Sequence, residues 1–192
     1  SGRLKIRCWK TVGHGPLVLS NAIQRSCNPY FMQLSNEIGD SRMAEVFAML
    51  SLGHQTGIKL PAEDQGIIPG SAWWRRELHP GESMTPARMA MLAIGQDECE
   101  ATPLQMAALV GCIANGGKYY RPRIVKRVVD PKEGVLVSDI PELKIDFIAE
   151  GMNPEQFEKI RLGMWKAANE LGGTARRASP KDVEIGAKTG TA

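Results

Sequence analysis

Residues 102–117 constrain the fold more than any other stretch. Thr102 and Pro103 suit a helix start, with an N-cap hydroxyl followed by a proline whose missing N–H is no loss at the first helical position. Leu104, Ala107, Ala108, Val110, Cys112 and Ile113 follow before Asn115-Gly116-Gly117 ends the run. A helix apolar on most sides cannot face water. The spacing therefore predicts a central, buried helix with the rest of the chain around it. The chain has 192 residues, 43% of them hydrophobic, which is enough material for such a core.

Three shorter helices are expected ahead of it. Leu19, Ala22 and Ile23 give residues 17–25 an amphipathic spacing, and Pro29 suits the first turn of a second helix over 30–38 that ends at Gly39. Asp40 or Ser41 can cap a third, with Met43, Val46, Phe47 and Leu50 inward and Gly53 as its stop. Residues 57–86 are rich in proline and glycine and hold the Trp73-Trp74 pair. They read as a long irregular excursion of the kind that carries function, with the tryptophans packed in the core. Residues 124–129 and 135–137 are predicted strands around the turn 130–134. Asn153-Pro154-Glu155-Gln156 opens a helix carrying Phe157, Ile160, Met164, Trp165, Ala168 and Leu171, closed by Gly172-Gly173. A strand is then expected over 184–188, where Ile185 and Ala187 alternate with Gly186 and Lys188. Helices first, then strands, a helix and a strand point to an α+β fold with a helical part over about 17–117 and a mixed part over about 118–192.

Several classes of function are excluded. The net charge of +3 is too small, and its cations too scattered, for nucleic acid to be a partner; the cluster from Arg121 to Arg127 reads as the exposed face of a strand. Cys8, Cys27, Cys99 and Cys112 form no Cys-x-x-Cys pair, and no histidine stands at the usual zinc-ligand spacing from them. Buried free thiols are expected, with no metal and no cofactor. His14, His54 and His79 lie far apart beside glycine or proline, as loop or core histidines do, and Glu63 with Asp64 reads as a solvated loop. No apolar run reaches the roughly 20 residues that span a bilayer, and residues 1–10 lack the apolar segment of a signal peptide.

Two triplets stand out. Ser26-Cys27-Asn28 lies at a helix–helix corner and Lys188-Thr189-Gly190 at the expected strand end. A Ser-x-Asn triplet occurs by chance in about one of two chains of this length, and serine and asparagine at a corner are ordinary caps. Lys-Thr-Gly is rarer, and the two together match two of the three parts of a serine acyl-enzyme site. The third part, a Ser-x-x-Lys helix start, is absent: Ser1 is followed by Leu4 and Ser20 by Ile23, and no later serine has a lysine three residues on.

Longer segments carry a resemblance. "AIQRSCNPYFMQLSNEIG", "LGHQTGIKLPAE", "AIGQDECEATPLQMAALVGCIANGG" and "GAKTGTA" are similar, in order and separation, to segments of penicillin-binding protein transpeptidase domains. The opening "CWKTVGHGPLVLSNAI" resembles the elongation-type, monofunctional class B members. The resemblance implies a partial penicillin-binding protein/β-lactamase-like transpeptidase fold, a helical subdomain plus part of its antiparallel sheet. It also implies catalytic roles for Ser26 as hydroxyl relay, Asn28 as amide-binding and lysine-positioning group, and Lys188 as the cation near the substrate carboxylate. Thr189 and Thr191 would grip that carboxylate, the Thr191 N–H would face the oxyanion, and Gly190 would leave room for substrate. Activating a serine hydroxyl needs a positioned base, and acyl transfer needs donors aimed at the oxyanion, so these residue types fit the chemistry.

The implied function is part of a peptidoglycan D,D-transpeptidase that cross-links stem peptides and binds β-lactam antibiotics. The full-length protein would sit on the extracytoplasmic side of a bacterial inner membrane, with a glycosyltransferase and elongation-complex proteins as partners. A β-lactam-sensing or hydrolysing relative, or a non-catalytic scaffold of the same fold, is the alternative. By the same resemblance the chain is a portion of a longer polypeptide, with its nucleophilic serine upstream of Ser1. As it stands it is expected to be inactive and to self-associate. One departure from the family pattern is Asp97, which follows Ile94-Gly95-Gln96 where a glycine is usual.

Overall fold

The computed structural model describes residues 7–190. Three helices come first: α1 (Leu19–Arg25), α2 (Asn28–Ile38) and α3 (Asp40–Met49). An irregular stretch follows, broken by a π-helical turn at Trp74–Leu78, and then α4 (Pro86–Leu92) and α5 (Pro103–Ala114). Short strands β1 (Lys118–Tyr120), β2 (Arg127–Asp130), β3 (Gly134–Ser138) and β4 (Leu143–Asp146) precede α6 (Pro154–Asn169) and a 3-10 turn at Arg176–Ala178. The strands form two antiparallel pairs: β1 with β4, where Lys118 faces Asp146, and β2 with β3, where Arg127 faces Ser138. The α+β arrangement expected from the sequence is what forms.

One core joins α3, α5, β1 and α6. Leu50, Leu52, Ile68, Cys112, Tyr119, Phe147 and Phe157 are all buried there. Gly117 lets the chain turn from α5 into β1 under the Phe157 ring: its φ is +100°, and a Cβ there would stand 2.6 Å from Phe157 Cε2. Gln105 staples the same region. It is fully buried, its Nε2 lies 2.8–2.9 Å from the carbonyl oxygens of Ser51, His54 and Gln65, and its Oε1 accepts the Thr102 N–H at 2.7 Å. Thr102 Oγ1 accepts the Gln105 N–H in return, completing a capping box.

Several expectations are corrected. Helix α5 is not enclosed: only Gln105 and Cys112 are buried, and Met106 and Val110 are 44% and 45% exposed. The irregular stretch ends at Thr85, because Pro86 is already the first residue of α4, whose start is set by Thr85 Oγ1 accepting the Arg88 N–H. Short β1 and β4 were not foreseen, since three or four residues are too few for alternation to register. Arg121 is not on an exposed strand face; it is buried and ion-paired to Asp139 at 2.9 Å and Glu142 at 2.6 Å. The expected strand over 184–188 is not paired into a sheet. It lies instead along α6, with the Ala187 N–H on Met164 O at 3.0 Å and Asn169 Nδ2 on Ile185 O at 2.8 Å. Trp74 is fully buried, as expected of a core residue.

The closest helix packing is between α1 and α6. A Cβ on Gly163 would lie 2.8 Å from Ile23 Cβ and 2.9 Å from Ser20 O, so only glycine permits that approach. Around Gly111 of α5, by contrast, nothing lies within 4 Å of the same virtual atom. One substitution should therefore have opposite signs in two helices. Gly163→Ala should destabilise the chain by about 1–3 kcal/mol through overpacking. Gly111→Ala should stabilise it by about 0.5–1 kcal/mol, because alanine is the better helix former. Thermal melts of both variants check this, and equal shifts of one sign would contradict it.

Candidate active-site cleft

Ser26 closes α1 in the left-handed region, with φ 48° and ψ 54°, and its N–H bonds to Ile23 O at 3.1 Å. A left-handed cap is normally glycine, and a residue bearing a Cβ is held there at a cost of about 1–3 kcal/mol. Cys27, buried, bonds through its N–H to Ala22 O, and Asn28 and Pro29 then start α2. The corner thus turns two side chains, Ser26 and Asn28, to the same side. The Asn28 carboxamide has no hydrogen-bond partner among the described residues.

Lys188 arrives from the other end of the chain. Its Nζ donates to Ser26 Oγ at 2.8 Å and also to the Thr189 carbonyl oxygen. Lys188 is exposed at the edge of the cleft, yet the protein around its ammonium displaces enough water to lower its pKa from the ordinary value, which eases proton exchange with the hydroxyl beside it. Thr189 Oγ1 donates to Thr174 Oγ1 at 3.0 Å, and the Thr174 N–H bonds to Gln24 O at 3.2 Å, so the segment is tied back to α1. A Cβ on Gly190 would meet nothing within 4 Å, so packing within this chain does not itself demand glycine there. Thr191 lies outside the described residues.

These groups edge one cleft of about 350 Å³. Ser26, Asn28, Lys188, Thr189 and Gly190 form its polar side. Phe31 and Met32 from α2, Met91 from α4, and Ala93, Ile94 and Gln96 from the turn after α4 form the other. An ammonium, a hydroxyl and a free carboxamide on one wall can hold a carboxylate and an amide together, and can carry a proton between neighbouring groups. Of the residues singled out in the sequence, all that are described converge here. Met91 was not foreseen as a wall residue, because nothing in its spacing links α4 to the two triplets.

A second group of donors was missed entirely. Cys8, His14 and Cys27 bring their ligand atoms within 4.8 Å of one another, with Cys8 Sγ 3.1 Å from His14 Nδ1. All four cysteines are free thiols, as expected, but the closeness of Cys8 and Cys27 to His14 was not read from the sequence, because their spacings follow the fold and not a short motif. His14 Nε2 is buried with no partner among the described residues, and desolvation first, then Lys10 and Arg25, lower the His14 pKa, which favours the neutral, ligating form. Two thiols and an imidazole suit zinc, with one position left for a further ligand.

Solved structures place this fold. Penicillin-Binding Protein (PBP2) from Helicobacter pylori, in complex with MreC, superposes with a TM-score of 0.80 at 28% identity, over 100% of this chain and 33% of that one. The frame is that of the penicillin-binding proteins. The penicillin binding protein transpeptidase domain profile matches residues 1–192, and the chain belongs to that family. Stage V sporulation protein D of Bacillus subtilis (strain 168) is 33% identical over 189 residues. The peptidoglycan D,D-transpeptidase MrdA of Acinetobacter baumannii is 32% identical over 192 residues. Each match covers 98% of this chain and 27% of the relative, so the chain spans about a quarter of the length of these two proteins.

Zinc should slow alkylation of Cys8 by iodoacetamide, because the metal takes the thiolate. His14→Ala should remove the protection. Peptide mapping after labelling reads both, and equal labelling with and without zinc would count against a three-donor site.

Proposed function

We propose that the chain is a partial transpeptidase domain of a peptidoglycan D,D-transpeptidase, one that cross-links stem peptides through a serine acyl-enzyme and accepts β-lactams at the same site. The observation that carries this reading is the 2.8 Å contact between Lys188 Nζ and Ser26 Oγ at the lip of the cleft. Family membership over residues 1–192 supports it.

In this reading Ser26 passes a proton between the base beside the nucleophilic serine and the leaving nitrogen, with Lys188 holding the hydroxyl in line. Asn28 takes the amide of the substrate's penultimate unit, and Thr189 and Thr191 take its terminal carboxylate. The nucleophile belongs to a Ser-x-x-Lys helix outside these residues. The domain works on the cell-wall side of a bacterial inner membrane; among the described residues no helix is long and apolar enough to cross it. Elongation-complex proteins and a glycosyltransferase are its partners, as a relative solved with MreC suggests by analogy.

In the complete transpeptidase, Ser26→Ala and Lys188→Ala should each slow labelling by fluorescent penicillin by about 10²–10⁴-fold, the range for a lost proton-transfer group. A loss below about threefold in both would reject the assignment. This chain by itself, given excess penicillin, should show no covalent adduct by intact mass. A stoichiometric adduct would overturn the reading.

A further inference from the structure

The wall of the cleft facing Lys188 is a turn, and a turn holds its shape only as well as its ends are fixed. Ile94 and Gln96 stand on it, and both of their N–H groups bond to Met91 O, at 3.1 and 3.0 Å. Gly95 and Asp97 on either side of Gln96 have φ of +71° and +68°. Glycine takes that conformation freely, but aspartate does so rarely. The near end is therefore held by α4, and something must hold the far end.

Glu98 follows directly. One of its oxygens, Oε2, accepts the Trp74 indole N–H at 2.8 Å and lies 2.8 Å from His79 Nε2 and 3.4 Å from Arg88 NH1. The three partners also brace one another. The His79 ring stacks on Trp74 with centroids 4.3 Å apart and planes 24° apart, and Arg88 Cζ stands 5.2 Å from the Trp74 ring centroid. His79 Nδ1 is 3.1 Å from Glu82 Oε2, and Arg88 NH1 is 3.9 Å from Asp97 Oδ2. Trp74 is fully buried, so the indole is a rigid post. The indole hydrogen bond first, then the charges of His79 and Arg88, hold the Glu98 carboxyl below the usual carboxylate range, so the acceptor is ionised at neutral pH.

We propose that Glu98 is a positioning residue for the cleft: by gathering Trp74, His79 and Arg88 on one carboxylate it fixes the turn that presents Ile94 and Gln96 to the substrate. It touches no substrate itself. The irregular stretch before α4 has a use in this account, since it delivers Trp74 and His79 to the back of the wall. The proposal rests on the functional reading above for what the wall does, though not for how the wall is held.

The test uses Glu98→Ala and Glu98→Gln, with two readouts. Hydrogen exchange on this chain follows the amides of Gly95 and Gln96 against those of α6. In Glu98→Ala the turn amides should exchange at least about tenfold faster while α6 is unchanged. Glu98→Gln keeps an acceptor for the indole but not the charge, and should fall between; it also serves if the alanine variant does not fold. In the complete transpeptidase, β-lactam acylation is resolved into binding and chemical steps. Glu98→Ala should weaken binding by about tenfold or more while the rate at saturation stays within about twofold of wild type. Unchanged exchange at the turn, or a uniform rise that includes α6, overturns the proposal. So does a loss confined to the rate at saturation. If the wild-type transpeptidase is not acylated at all, the functional reading fails, and exchange alone decides whether Glu98 holds the turn.

Discussion

The spacing between α1 and α6 governs the cleft. Ser26 and Lys188 are 162 residues apart in sequence and meet only because α6 lies between their two segments. On one side, Gly163 offers no side chain, so Ile23 and Ser20 of α1 come into direct contact with the α6 backbone. On the other, Met164 and Asn169 take the backbone of residues 185–187. A hydrogen bond between ammonium and hydroxyl is useful over only a few tenths of an ångström. Protein interiors are packed too densely to absorb a shift of that size, so a change in how α1 sits on α6 passes directly to Ser26.

The two walls of the cleft are built differently. The polar wall consists of chain segments fastened to α1 and α6: the corner at 26–28 through α1's own backbone, and Thr189 through Thr174 to Gln24. The opposite wall combines α2 side chains with a turn whose backbone includes two left-handed residues. One wall gets its rigidity from helix packing and the other from a buried aromatic and a carboxylate. Asp97 adds a charge that Arg88 faces at 3.9 Å, and the turn holds it in left-handed form.

Much of this was legible in the residues, for identifiable reasons. Long helices with clear punctuation, α2, α3, α5 and α6, declare themselves through Pro29, Gly39, Thr102 and Asn153, because caps are local chemistry. The two triplets are also local, and the fold needed only to bring them together. What escaped depends on contacts between distant residues. The Cys8, His14 and Cys27 group has no short spacing to announce it. Gln105 looks like an ordinary surface glutamine of a helix start, yet it is fully buried because three loop carbonyls converge on it. The apolar content of α5 correctly signals a need for cover, but not which side receives it, since a helix that is apolar nearly all round carries little directional information. The unpaired run at 185–188 has the alternation of a strand, and alternation speaks to faces, not to whether a neighbouring strand is present.

The left-handed geometry at Ser26 has an evolutionary side. Glycine would suit that backbone best, and glycine is the one residue that brings no functional group at all. Keeping a hydroxyl there means accepting a less comfortable bend so that Lys188 has something to meet. Sequence drift toward conformational ease and selection for chemistry therefore pull in opposite directions at a single codon.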